Sequence, residues 1–270
     1  MTPEQTAIQF NKVLDTISFH VQNESLRKQL IDFLSQPHIK SRLLTAPAAS
    51  GHHQAEPGGL LDHTLDVLHL GINMLEFLIK ELSLSDPKQR FEDLVVSIVL
   101  HDISKVGDPL GRNCYVPNMI KAGKKDGTLV QSEKKPYVKD KSAFQLGRAI
   151  NGFWNTFKSG AFAPTTVSYA AFDTAPNMLA AVGDFMDRNI DAVREGELSL
   201  LLVNSISPGL YHLLNDTVKF AVRYHDGAYC GNRYALAGKE TPVQFVLHTA
   251  DMISSRKNRW LKPAEVDESE

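Results

Sequence analysis

The sequence predicts a mostly α-helical protein that carries a small β-hairpin and loop insertion. Three observations predict it. Apolar residues recur at helical spacing over the first third of the chain and again towards its end. Helix-start signals, Thr2-Pro3-Glu4 and Asp86-Pro87, punctuate those runs. Between them lies a stretch rich in Lys, Gly and Pro, with Asp126-Gly127 set between short strand-like pieces as a hairpin signal.

In chain order, Thr2 is placed to cap a first helix, with Pro3 in its first turn and Glu4 near the positive end of the dipole. Ile8, Phe10, Val13, Leu14, Ile17 and Val21 continue it. A second helix is expected over 24–34. Residues 46–59, APAASGHHQAEPGG, break the periodicity and read as a loop. A long helix over 60–82 would bury a stripe of Leu61, Leu65, Leu68, Ile72, Leu75 and Leu78. After Asp86-Pro87, a buried helix is expected to run to about residue 104. Residues 158–176 form a long irregular segment, which at that length suggests a lid or binding loop. Helices are expected over 176–193, 195–205, 208–224 and 241–255, with a turn-rich link at 232–240. One domain is expected over 1–262, with 106–195 as an inserted lid or substrate region, followed by an acidic, frayed tail over 263–270.

Composition narrows the function classes. The 270 residues are 43% hydrophobic and 22% charged, ordinary for a globular protein, and the formal net charge is -2. No global field argues for nucleic acid or membrane. The two cysteines, Cys114 and Cys230, form no CxxC, which excludes a disulfide framework and a thiolate zinc site. With no signal-like N-terminus and no apolar run long enough for a membrane span, a reduced, cytoplasmic setting is the expectation.

The chemistry is concentrated at His101-Asp102, which ends the apolar run Leu94-Val95-Val96-Ser97-Ile98-Val99-Leu100. A buried imidazole and carboxylate need partners, and a divalent metal would satisfy both. Further donors stand on other apolar helices: His63, after Gly58-Gly59-Leu60-Leu61-Asp62, and Asp251, in Leu247-His248-Thr249-Ala250-Asp251. The glycines allow a sharp entry into the helix, so that its first turn can face a cavity. Two imidazoles and two carboxylates make a mixed N/O set suited to Mn, Fe, Co, Ni, Mg or Zn. A metal so held lowers the pKa of its water. Lys105, on the helical face of His101 and Asp102, is a cation suited to a phosphoryl oxygen.

On the segments Gly-Gly-Leu-Leu-Asp-His63-Thr, His101-Asp102-Ile-Ser-Lys105 and Leu-His248-Thr-Ala-Asp251, the chain resembles the HD-domain metal-dependent phosphohydrolases. The resemblance covers roughly 58–105 and 198–256. It implies an HD-domain helical bundle in which His63, His101, Asp102 and Asp251 are the metal ligands, Asp102 also orients the attacking water, and Lys105 contacts phosphate. Family members with two metals use further histidines. His225, in Tyr224-His225-Asp226-Gly227, matches the last of them, while Glu195 and Glu197 occupy the place of the other. One metal is the expectation; His225 with Glu195 or Glu197 would supply a second site or contact phosphate. Arg223 and Arg233 flank His225 as substrate-binding candidates.

The resemblance implies a phosphohydrolase cleaving a phosphate ester or anhydride of a nucleotide, of the nucleotidase or dNTP hydrolase type. Two alternatives stand beside it. A bacterial branch of the family cuts single-stranded nucleic acid 3′–5′, but its members usually carry a strand-rich nucleic-acid-binding domain, whereas the first residues here read as helices. A non-catalytic nucleotide-binding regulator would be expected to lose ligands first. The remaining candidates have structural readings of equal or greater weight. His248 is expected to pack or hydrogen-bond locally, His69 and His212 to sit in core or surface, and His52 and His53 to lie in the loop. Arg112, Lys121, Lys124, Lys125, Lys134, Lys135, Lys139 and Lys141 read as a solvated hairpin or a basic rim for a polyanion. Tyr115, Tyr137, Tyr229 and Tyr234 read as packing or base-stacking residues.

Overall fold

The computed structural model describes residues 2–51, 54–109, 112–121, 129–140, 195–227 and 238–261. Those residues form a mostly helical protein with two small antiparallel ladders. The helices are α1 (Pro3–His20), α2 (Glu24–Ser35), α3 (Pro37–Leu43), α4 (Gly59–Leu82), α5 (Pro87–His101), α6 (Glu195–Ile206), α7 (Pro208–Leu213), α8 (Asp216–Arg223) and α9 (Pro242–Leu261). The strands are β1 (Tyr115–Pro117), β2 (Met119–Lys121), β3 (Leu129–Gln131) and β4 (Tyr137–Lys139).

Local chemistry explains the starts. Thr2 accepts from the Gln5 amide while the Gln5 side chain accepts from the Thr2 amide, a reciprocal capping box that satisfies two otherwise orphaned donors. Asn23 caps α2 by accepting from Leu26 N at 3.1 Å. Short α3 was not expected from periodicity. Pro37 starts it, and Ile39 and Leu43 turn into the core.

Helix α5 is the hub. Leu94, Val95, Val96, Ile98 and Leu100 are all inaccessible to solvent, because α4, α8, α1, α9 and α6 pack around it. Each fully buried Leu or Val contributes roughly 1.5–3 kcal/mol relative to exposure. Helix α4 lies against α9, α5 and α1, which brings the first turns of α4, the end of α5 and the middle of α9 together.

Two expected helices are shorter than their apolar patterns suggest. The helix expected to reach about residue 104 ends at His101. Asp102 leaves helical geometry at φ -112°, ψ 10°, and Ile103–Val106 continues as a 3-10 turn. The 208–224 helix is two helices, α7 and α8. Leu214 is extended, and Asn215 starts α8 by accepting from Val218 N at 2.9 Å. The Asn215 amide also donates to Asp93 Oδ1 at 2.8 Å, which ties that cap to α5. In the other direction, α9 runs to Leu261, past the expected end at 255.

The ladders nest. β1 pairs with β4 (Tyr115 opposite Lys139) and β2 with β3 (Met119 opposite Gln131). Between them Asn118 N donates to Pro136 O and Ser132 N donates to Asn118 O, both at 2.8 Å. The two ladders thus read as one antiparallel ribbon interrupted at 132–136. The Asp126-Gly127 turn, the loop expected over 158–176, the helix expected over 176–193, most of the 232–240 link and the acidic tail lie outside the described residues. Among the described residues no helix is long and apolar enough to cross a membrane.

Candidate metal centre

The entry to α4 depends on glycine. Gly58 adopts φ 79°, in the left-handed region, and a Cβ on Gly59 would lie 1.9 Å from the Gln54 carbonyl. This tight turn sets His63 in the second turn of α4, fully buried. His101 arrives on the last residue of α5, Asp102 on the residue that breaks it, and Asp251 from the middle of α9. His225 follows α8 and is also buried. Its turn needs Gly227, at φ 57°, because a Cβ there would lie 2.4 Å from His248 Nε2.

Each imidazole is oriented through Nδ1. His101 Nδ1 lies 2.6 Å from Ile98 O and His225 Nδ1 lies 2.8 Å from Val222 O. A carbonyl only accepts, so both Nδ1 atoms carry a proton; each Nε2 then bears a lone pair in the neutral imidazole and a second proton in the imidazolium. His63 Nδ1 lies 3.0 Å from Ser254 Oγ, which in turn donates to Asp66 Oδ2 at 3.4 Å. That chain orients His63 the same way.

The Nε2 atoms face carboxylates. His63 Nε2 is 3.1 Å from Asp251 Oδ1 and 3.6 Å from Asp102 Oδ2. His101 Nε2 is 3.3 Å from Asp102 Oδ2, without hydrogen-bond geometry to any described residue. His225 Nε2 is 3.8 Å from Asp102 Oδ1 and 3.6 Å from Asp226 Oδ1. Ring centroids are 5.5 Å apart for His63 and His101, and 5.0 Å for His101 and His225. A lone pair against a carboxylate is repulsive unless a cation or a proton lies between them. Among the described residues, His63, His101 and Asp251, and His225, Asp226 and Asp251, each bring potential ligand atoms within 4.8 Å of one another. This donor set fits a divalent ion with nitrogen and oxygen ligands, so the residues could hold a metal.

The electrostatics agree. Burial pushes the Asp102 carboxyl up, but Lys105, His101 and His225 outweigh it and hold Asp102 well below the ordinary range. Burial likewise opposes ionisation of Asp251, and His63 and His101 outweigh it. Burial lowers His101, while the charges of Asp102 and Asp251 and the Ile98 carbonyl raise it beyond that loss. Both carboxylates are therefore ionised, and His101 sits in a field that favours positive charge. Lys105 Nζ is 2.5 Å from Asp102 Oδ2 and stands at the edge of the cluster.

His63, His101, Asp102, Lys105, Asp251 and His225 thus converge. Glu197 and Arg223 do not join them: they face each other at 3.9 Å and line a separate cavity with Leu200, Asn204 and Tyr211. Glu195 opens α6, with its side chain outside the described residues, and Arg233, Tyr229, Tyr234, His52 and His53 also lie outside them. His248 supports the cluster from behind, its Nδ1 donating to His225 O at 2.8 Å. Sequence reasoning missed Asp226, which it quoted only as the neighbour of His225, and the supporting residues Ser254, Asp66 and Ser199. The spacing of Ser254, three residues after Asp251 on one helix, was the signal available for the first of these.

Comparisons with known protein families, with curated proteins and with solved structures found no match.

Proposed function

We propose that the protein is a metal-dependent phosphohydrolase acting on a phosphate ester or anhydride of a nucleotide, in the manner of the HD-domain enzymes it resembles in sequence. One observation carries the reading: buried imidazoles from α4, α5 and the end of α8 all turn Nε2 towards the carboxylates of Asp102 and Asp251, with Lys105 beside them. His63, His101, Asp102 and Asp251 would hold the first ion, and His225 and Asp226, sharing Asp251, a second. A divalent ion bound there supplies Lewis acidity and a lowered pKa for water.

The chain's own residues do the rest. Asp102, kept ionised by Lys105, accepts a hydrogen bond from the attacking water and aligns it. Lys105 Nζ, at the edge of the cluster, donates to a phosphoryl oxygen and offsets the charge that builds up as the bond to phosphorus forms. The surrounding helices exclude bulk water from the imidazoles, which strengthens each of these interactions.

The test is a screen on the purified full chain. Metal content is measured after exposure to manganese, cobalt or nickel. Phosphate or nucleotide release is then followed from dNTPs, NTPs, nucleoside monophosphates, cyclic nucleotides and short oligonucleotides. Metal-stimulated release from mononucleotides is expected. Release from single-stranded oligonucleotides alone points to the exonuclease alternative. Protein that takes up no divalent metal and releases nothing overturns the proposal in favour of a non-catalytic regulator.

A further inference from the structure

A cleft adjoins the cluster on the side of the β ribbon. Its walls are Arg42 at the end of α3, Pro47 in the following loop, and Tyr115 and Tyr137 of β1 and β4, with Lys105 and Asn113 completing it. Its cavity volume is about 180 Å³, smaller than a usual site for a whole drug-sized ligand, and it opens outwards.

The strand register explains the aromatic wall. Pro117 pairs with Tyr137 and Tyr115 with Lys139, and alternate strand residues share a face. Tyr115, Pro117 and Tyr137 therefore stand on the same side of the ribbon, the side that lines the cleft. The ribbon is fixed there: Tyr137 N donates to Ser50 O at 3.0 Å, across to the loop that leads into α4. The cleft is thus built before any ligand arrives.

Its chemistry is specific. Arg42 and Lys105 contribute two cations, and no carboxylate is among the described residues that line it. Lys105 Nζ also contacts Asp102 Oδ2, so the cationic end of the cleft meets the metal-centre cluster. Half-buried Tyr137 offers aromatic surface, with Tyr115 buried in the same wall, and the Asn113 amide and Thr45 hydroxyl offer donors and acceptors beside it. An anion joined to a flat heteroaromatic ring matches this combination better than a sugar phosphate or an inorganic polyphosphate.

We propose that this cleft is a nucleotide subsite, which takes the base of a nucleoside monophosphate unit between the ribbon and α3, leaves the sugar at its open mouth and directs the phosphate to Lys105. The proposal rests on the phosphohydrolase reading for the identity of the reacting group, but base binding at the cleft does not need a metal.

The test uses that independence. Calorimetry on the full chain, with divalent metal removed by chelation, compares AMP and UMP with ribose 5-phosphate and inorganic phosphate. The nucleoside monophosphates are expected to bind about tenfold or more tightly than ribose 5-phosphate, the gain from stacking one base. Tyr137→Leu should abolish that preference while leaving phosphate affinity and manganese uptake as they were. Arg42→Gln should weaken all four probes. Equal affinity of nucleoside monophosphate and ribose 5-phosphate on the unmodified chain overturns the subsite, as does a Tyr137→Leu chain of native helical content that keeps the preference. Failure of manganese uptake with nucleotide preference intact would instead count against the phosphohydrolase reading alone.

Discussion

Ser199, buried on α6, donates its hydroxyl to the main-chain carbonyl of His101 at 2.8 Å, and accepts from Ser104 N at 3.1 Å. One side chain thus bridges the turn on which His101 and Asp102 are carried, where α5 stops being an α-helix. Ser199→Ala removes both bonds in a fully buried place, which costs about 1–3 kcal/mol. The denaturant midpoint should fall accordingly, and manganese affinity should fall with it because the His101-Asp102 turn loses its clamp. An alanine variant as stable as the parent would mean that the turn is held by packing alone.

Ser254 and Asp66 fix His63 from the side away from the carboxylates. Asp66 Oδ2 is itself held by Gln54 Nε2 at 2.8 Å and by a contact with Lys257 Nζ. Partners of this kind typically change metal affinity by about 10–100-fold. Ser254→Ala and Asp66→Asn should each weaken manganese binding within that range, without abolishing it, while helical content stays constant. Titration of the apo protein with manganese checks this; unchanged affinity in both variants would remove the orienting role from this pair.

Most of the helices were legible because apolar periodicity marks buried faces, and the convergence of His63, His101, Asp102 and Asp251 was legible because polar residues on otherwise apolar helices fall within segments that resemble a known motif set. Three kinds of feature were not legible. The split between α7 and α8 turns on Asn215, whose side chain caps one helix and reaches Asp93 on another, a contact spanning 122 residues of sequence. The early end of α5 is bridged by Ser199, again remote in sequence. Glu197 was a candidate because it occupies the place of a further family histidine, and Arg223 because it flanks His225, yet a helix turns successive residues through about 100°, and the pair faces a different cavity. Periodicity reports which face of an element is buried; it is silent on which distant hydroxyl or amide meets that face.

Asp93 offers a prediction in pH. Burial raises its carboxyl above the ordinary value, and the bonds from Asn215 and Gln89 only partly oppose this. A group whose folded pKa is raised stabilises the fold fully below its unfolded pKa, and that stability is lost as pH rises through the folded pKa. Between the ordinary carboxyl range and neutrality, Asp93 therefore subtracts from stability. Asp93→Asn keeps a carbonyl oxygen for Asn215 and Gln89 while removing the charge. The variant should be at least as stable as the parent at pH 7, and its stability should fall less between acid and neutral pH. Thermal melts of both proteins across that interval check it. A variant that loses stability at pH 7 would show that the ionised carboxylate is the better acceptor at this site.

On the proposed reading, Lys105 separates holding the metal from using it. Its ammonium contacts Asp102 Oδ2 and lines the cleft beside the β ribbon, but it can offer no lone pair to a metal while charged. Lys105→Met retains the length and the buried stem and removes the cation. Manganese content should remain near that of the parent, because His63, His101 and Asp251 are unchanged. Phosphate release from a nucleotide should fall by about 10²–10³-fold, the scale of losing one charged donor to a developing oxyanion. The KM for the nucleotide should rise less than kcat falls, since the contact strengthens as charge builds up on the phosphoryl oxygens. Steady-state kinetics alongside metal analysis decide the matter: loss of manganese in Lys105→Met would make the lysine a structural partner of Asp102, and unchanged turnover would place the phosphate elsewhere.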